Sequence, residues 1–115
     1  MDVDKEKIMS MHLMRGGKLE IDESPAQIND AMSKQLRHFI IAKGKTHIIE
    51  LQVDRDADYD SYFRLQNQIV RAYRELRDAA AEKKYHKSFA NLNEEQKEEI
   101  TALFPQRIQE TTNIN

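Results

Sequence analysis

The sequence predicts an α+β fold: a two-layer sandwich in which a small mixed sheet, made of a hairpin plus a crossover strand, carries two main helices and an added C-terminal helical tail. Three observations lead there. Residues 47–53 alternate between apolar and polar positions, residues 28–40 and 62–80 place apolar side chains at helical spacing, and a Gly-Gly pair separates two short apolar runs.

The hairpin comes first. Ile8 to Met14 alternates loosely, Arg15-Gly16-Gly17-Lys18 supplies the turn, and Leu19 and Ile21 flank Glu20 in the return strand. Glycine accepts the positive φ angles that tight hairpin turns need. Ser24-Pro25-Ala26-Gln27 then reads as a helix start, with Ser24 as cap, Pro25 in the first turn and Gln27 completing a capping box. Ile28, Met32, Leu36, Phe39 and Ile40 form the buried stripe of that helix, and Gly44 stops it. In the next strand Ile49, Leu51 and Val53 share one face, with Ile48, Glu50 and Gln52 on the other. Asp58 or Asp60 caps a helix running to about Lys84, whose apolar stripe is Tyr62, Leu65, Ile69, Tyr73, Leu76 and Ala80. A helix between two strands implies a crossover connection.

Past Tyr85 the pattern changes. Asn93-Glu94-Glu95-Gln96 reads as a capped helix start, with Ile100, Leu103, Phe104 and Ile108 as its apolar positions and Pro105 ending or kinking it. The expected organisation is a linker or expression remnant over 1–7, a domain over 8–84, a helical extension over 85–110 and a disordered tail over 111–115.

Composition narrows the function classes. A length of 115 residues supports one small domain, and 39% hydrophobic content supports a modest core. No run approaches the ~20 apolar residues of a membrane helix. A net charge of −2 gives no general case for nucleic acid. Cysteine is absent, which removes thiol nucleophiles and cysteine-based zinc sites.

The remaining chemical candidates have ordinary explanations. His12, His38, His47 and His86 are scattered, with no metal-ligand spacing, and read as strand-face and surface residues. Asp54, Asp56, Asp58 and Asp60 alternate through a loop. A calcium loop counted from Asp54 would need glycine and glutamate where Tyr59 and Leu65 stand, so a helix-capping turn is the better account. Glu94-Glu95 and Glu98-Glu99 favour the dipole of a helix start. Seven basic residues between Arg64 and Lys87 face three acidic ones, a local excess that suits either an anionic polymer or a solvated helix face. No enzyme activity, cofactor, metal or nucleic-acid partner is expected.

Three stretches carry a family resemblance. Gly17-Lys18-Leu19-Glu20-Ile21-Asp22-Glu23-Ser24-Pro25-Ala26-Gln27-Ile28 resembles the ExbD/TolR passage in which a Gly-Lys turn leads into a strand and then a helix. Ile49 to Tyr59 resembles that family's strand ending in Asp, here Asp54, with a Tyr five residues on, here Tyr59, at the start of a helix. The long helix from Tyr62 to Asp78, continued by Lys83-Lys84-Tyr85-His86-Lys87-Ser88-Phe89, the acidic start at 91–96 and Phe104-Pro105-Gln106-Arg107-Ile108, resembles one ExbD subgroup. The resemblance spans about residues 17–110.

It implies the periplasmic domain of a single-pass inner-membrane protein of a Gram-negative bacterium. The membrane helix, absent from this sequence together with its proton-carrying acid, would pair with an ExbB/TolQ-like channel subunit, and the complex would energise a TonB-like protein for transport across the outer membrane. The domain would act as an adaptor and as a homodimer. Asp54, Tyr59, Arg64, Arg71 and Arg74 are the expected partner-binding residues. Shorter relatives close their sheet with a strand after the second helix, and a helical tail is expected in its place here. The alternatives are a TolR-like domain that binds peptidoglycan, and a free-standing α+β regulatory module.

Overall fold

The computed structural model describes residues 5–113. Residues 1–4 of the expected linker and 114–115 of the expected tail lie outside them. Strand β1 (Ile8–Leu13) follows a single helical turn at Lys5–Lys7. After it come β2 (Leu19–Ile21), β3 (Ser24–Ala26), α1 (Asp30–Lys43), β4 (Ile48–Asp54), α2 (Tyr59–Tyr85), α3 (Glu94–Leu103) and β5 (Ile108–Asn113). The five strands form one mixed sheet in the order β3-β2-β1-β4-β5. β1 runs antiparallel to β2 and parallel to β4, and β4 runs parallel to β5. This is the expected α+β class.

One face of the sheet is dry. Met9, Met11 and Leu13 of β1, Leu19 and Ile21 of β2, and Ile49 and Leu51 of β4 pack against Met32, Leu36 and Ile40 of α1 and Leu65, Ile69, Tyr73 and Leu76 of α2. Burying one such aliphatic side chain is worth roughly 1.5–3 kcal/mol. Period-two alternation in the strands and period-3.6 stripes in the helices aim all of these at one layer. Ile48, expected on the solvent face, is also covered; it lies opposite Ile8 in the sheet.

The hairpin turn holds as read. Gly16 and Gly17 have φ of 76° and 78°, and Met14 N–H donates to the Lys18 carbonyl at 2.8 Å. Gly17 also touches α2: a Cβ there would lie 2.6 Å from Ser61 Oγ.

The expected helix start at Ser24 is overturned. Ser24–Ala26 is an edge strand, joined to β2 by a two-residue turn in which Asp22 and Glu23 take φ of 50° and 70°. Proline is tolerated on an edge, where a missing N–H breaks no ladder. The pairing of β3 with β2 wins over the local capping pattern. Helix α1 begins six residues later, at Asp30, with the Asn29 side chain accepting from Ala31 N–H at 3.1 Å. Gly44 ends it as expected, with φ of 69°.

The C-terminal expectations divide. Asn93 caps α3 and Gln96 completes a capping box, as read. Phe104 and Pro105 then stop the helix. The expected helical extension to 110, with a loose tail from 111, is corrected by β5, which pairs with β4 from Ile108 to Asn113. The closing strand expected to be missing is therefore present. Its signal, Ile108 and two adjacent threonines, is short, and the pairing is non-local, so local pattern could not register it.

Helix α2 is 27 residues, about 40 Å, whereas a six-residue strand spans about 20 Å. Its far end outruns the sheet and packs on α3 through a second small core of Ala81, Leu92 and Ile100. The new partner shifts the buried stripe, so Ala81 is fully buried where Ala80 was expected. Lys84 and Tyr85 bond to Glu99 across this junction.

One buried polar group ties the layers together. His47, expected at a strand face or surface, is 0% exposed. Its Nδ1–H donates to the Gly44 carbonyl at 2.7 Å, which leaves Nε2 to accept from the Tyr73 hydroxyl at 2.5 Å. The same hydroxyl accepts from Arg107 N–H at 3.4 Å, and Arg107 Nε donates to the His47 carbonyl at 2.9 Å. The end of α1, the start of β4, the middle of α2 and the residue before β5 thus meet at one point.

Burial, and then the Arg107 charge, hold His47 below its ordinary pKa of 6.5, against the raising pull of the Gly44 carbonyl. The unfolded chain therefore takes up this proton first. The associated stability is complete above pH 6.5 and is lost as pH falls from there through the folded value. Urea titrations at stepped pH are expected to show a slope of up to ~1.4 kcal/mol per pH unit in that window, absent from His47→Gln.

Candidate functional site

Among the described residues, two uncovered surfaces bear on function. The first is the sheet face opposite the helices. Side chains alternate, so Ser10 and His12 of β1, Glu20 of β2, Glu50 and Gln52 of β4, and Gln109 and Thr111 of β5 line a concavity of about 520 Å3. The Asp22 carboxylate accepts from Ser10 N–H at 2.9 Å. His12 Nε2 meets Asp54 Oδ1 at 2.7 Å, and Ser10 donates to Glu50 at 3.3 Å. The face is polar and acidic, and no Lys or Arg lines this concavity among the described residues.

The second surface is the flank where α2 meets β5. The two run in opposite directions. Tyr62 donates to Glu110 at 2.8 Å and Gln66 donates to it at 2.9 Å; farther along α2, Arg77 donates to the Phe104 carbonyl at 3.0 Å. The Glu110 bond, then partial burial, pushes the Tyr62 phenol above its ordinary pKa of 10.0. Just outside this seam, α2 exposes Tyr59, Phe63 and Val70. The Tyr59 and Phe63 rings pack edge to face with centroids 4.5 Å apart, a geometry that aromatic quadrupoles favour.

The five expected binding residues do not form one patch. Asp54 ends β4 and pairs with His12 on the open sheet face. Tyr59 is the first residue of α2 and is 72% exposed. Arg64 pairs with Asp60 at 3.3 Å. Arg71 turns toward α1 and pairs with Asp30 at 3.1 Å and Glu75 at 2.7 Å. Arg74 is exposed, with no hydrogen bond or ion pair among the described residues. Only Tyr59 and Arg74 share the outward flank with Phe63 and Val70. Of the seven basic residues between Arg64 and Lys87, Arg64, Arg71 and Lys84 pair with acids, and such exposed pairs contribute little stability.

The alternating aspartates also disperse. Asp54 is in the strand, Asp60 pairs with Arg64, and Asp58 caps α2 by accepting from Ser61 N–H at 2.9 Å. The Ser61 amide, then its hydroxyl, hold the Asp58 carboxyl below its usual range. Among the described residues no group of three His, Cys, Asp or Glu could hold a metal, and no helix is long and apolar enough to cross a membrane.

Sequence reasoning missed Phe63, Val70 and β5. The first two are apolar residues lying off the core stripe of α2, a second stripe that was legible but unused. Set against family models, curated proteins and solved structures, the chain matches none.

Proposed function

We propose that this chain is the periplasmic domain of an ExbD-type inner-membrane protein. With an ExbB/TolQ-like channel subunit it serves a proton-driven complex that energises a TonB-like protein for transport across the outer membrane. The domain itself performs no chemistry; it is an adaptor that presents a surface to partners, including its own second copy. One observation carries this reading: Asp54 closes β4 and Tyr59 opens α2, the arrangement that the resemblance implies, within a sheet completed by β5.

The test is cross-linking of the domain to a TonB-like protein from the same genome. Tyr59→Ser is expected to lower capture about tenfold, as expected for an exposed aromatic anchor. Asp54→Ala is expected to lower capture while costing about 1 kcal/mol or less of stability, because its pair with His12 is partly exposed. Unfolding of these variants would instead assign both residues to structure. The parent gene is expected to encode one upstream apolar span of about 20 residues with an embedded acid; an upstream region without it removes the membrane part of the reading. Co-sedimentation with insoluble peptidoglycan, in place of protein capture, would turn the assignment to the TolR-like role.

A further inference from the structure

The outer edge of β5 and the outward stripe of α2 lie side by side. In the β4–β5 pairing Ile49 stands opposite Ile108, and Ile49 N–H donates to the Arg107 carbonyl at 2.9 Å. Backbone groups along a parallel strand alternate in direction, so the N–H and C=O of Ile108, Glu110 and Thr112 point away from β4. β5 is last in the strand order, so these groups form the open edge of the sheet. Their side chains rise toward the helix layer: Ile108 packs against the core and Glu110 binds Tyr62 and Gln66. At about 100° per residue, Tyr59, Val70 and Phe63 follow immediately outward from Gln66 around α2. They are 72%, 48% and 48% exposed. A strand added beyond β5 would pass beneath them.

We propose that this flank is a docking groove for an extended segment of another protein, which pairs its backbone with β5 and sets apolar side chains at alternate positions against Tyr59, Phe63 and Val70. The proposal rests on the protein-binding reading above and says what the partner must look like. The bare edge demands a strand, because only extended backbone satisfies its donors and acceptors. The stripe demands apolar residues on the side of that strand facing α2. Arg74 follows Val70 by one turn in the middle of α2, next to Tyr73, whose hydroxyl meets Arg107 N–H, and so lies toward the start of β5. Its charge is uncompensated, so the segment carries a carboxylate at that end.

A second copy of β5 is a poor fit. Its residues on the helix side are Ile108, Glu110 and Thr112. Antiparallel pairing of two such edges would bring a second Glu110 beside the apolar stripe and toward the first Glu110. The groove asks for a sequence that this chain's own edge lacks.

The probe is a set of short capped peptides that alternate valine with threonine and carry one glutamate at either end, added to the isotope-labelled 115-residue chain. Saturable shifts at the amides of Ile108, Glu110 and Thr112 are expected. Binding is expected to vanish when alternate peptide nitrogens are methylated in the pairing register, and to weaken about tenfold in Phe63→Ser/Val70→Ser. Both residues are exposed, so the fold should survive, and an unchanged amide spectrum of the free variant checks this. Shifts elsewhere, no shifts at millimolar peptide, or unaltered affinity in the double variant would overturn the proposal. So would sedimentation showing a dimer through β5 that excludes the peptide. No TonB-like protein enters this test, so its failure removes the groove while the adaptor reading stands or falls on cross-linking.

Discussion

Replacing Tyr73 by alanine is expected to cost about 4 kcal/mol, a large part of the 5–15 kcal/mol that holds a typical domain folded. The ring is fully buried between sheet and helix, so its loss leaves a cavity that the neighbours fill only in part. The hydroxyl answers two further groups, His47 Nε2 and Arg107 N–H. Without it the imidazole nitrogen is stranded in a dry environment, and a stranded polar group costs about 1–3 kcal/mol. Tyr73→Phe separates the two contributions: it keeps the ring and is expected to cost about 2 kcal/mol. Because Arg107 leads into β5, Tyr73→Phe is also expected to speed amide exchange in β5 more than in β1. Urea denaturation and hydrogen exchange provide the check. A Tyr73→Phe domain as stable as the parent would mean that the hydroxyl only occupies space.

Gly17→Ala is expected to cost about 3 kcal/mol, while Gly16→Ala next to it costs only about 1 kcal/mol. The two glycines share almost the same positive φ, so the left-handed backbone penalises both substitutions equally. They differ in what lies beyond the hydrogen. Nothing stands within 4 Å of a Cβ at Gly16, whereas a Cβ at Gly17 meets Ser61 Oγ at 2.6 Å and Asp58 Oδ1 at 3.6 Å. Ser61 is buried and its N–H is capped by Asp58. Displacing it disturbs the first turn of α2, one of the two helices that cover the sheet. Thermal melts of both variants check the contrast. Equal losses would show that only the turn conformation matters and that the contact with α2 is slack.

Much of the fold was legible because its causes are local. The stripes Met32-Leu36-Ile40 and Leu65-Ile69-Tyr73-Leu76, the caps at Asp58 and Asn93, the Gly16-Gly17 turn and the Gly44 stop each depend on side chains within a few residues of one another. The misreadings share an opposite cause. Ser24-Pro25-Ala26-Gln27 has good capping chemistry, yet pairing with Leu19 to Ile21 holds it in a strand. Ile108 to Asn113 looks like a frayed tail until β4 lies beside it. Of the expected binding residues, Tyr59 and Arg74 lie on the outward flank of α2, whereas Arg64 and Arg71 are engaged by Asp60 and Glu75 one turn away, and Arg71 also by Asp30 of α1, a partner that no local pattern reveals.

The sequence by itself determined the Gly16-Gly17 turn, the presence of three helices and the buried stripes of α1 and of α2 over the sheet, since these follow from periodicities of two and 3.6 and from single-residue backbone preferences. Tertiary structure alone decided that His47 is buried, that Ile108–Asn113 completes the sheet, and that Tyr59, Phe63 and Val70 border its open edge. His47 and Arg107 are 60 residues apart in the chain. Contacts at that range form only when burial elsewhere has offset the entropy of closing the loop between them, and no local pattern encodes that sum.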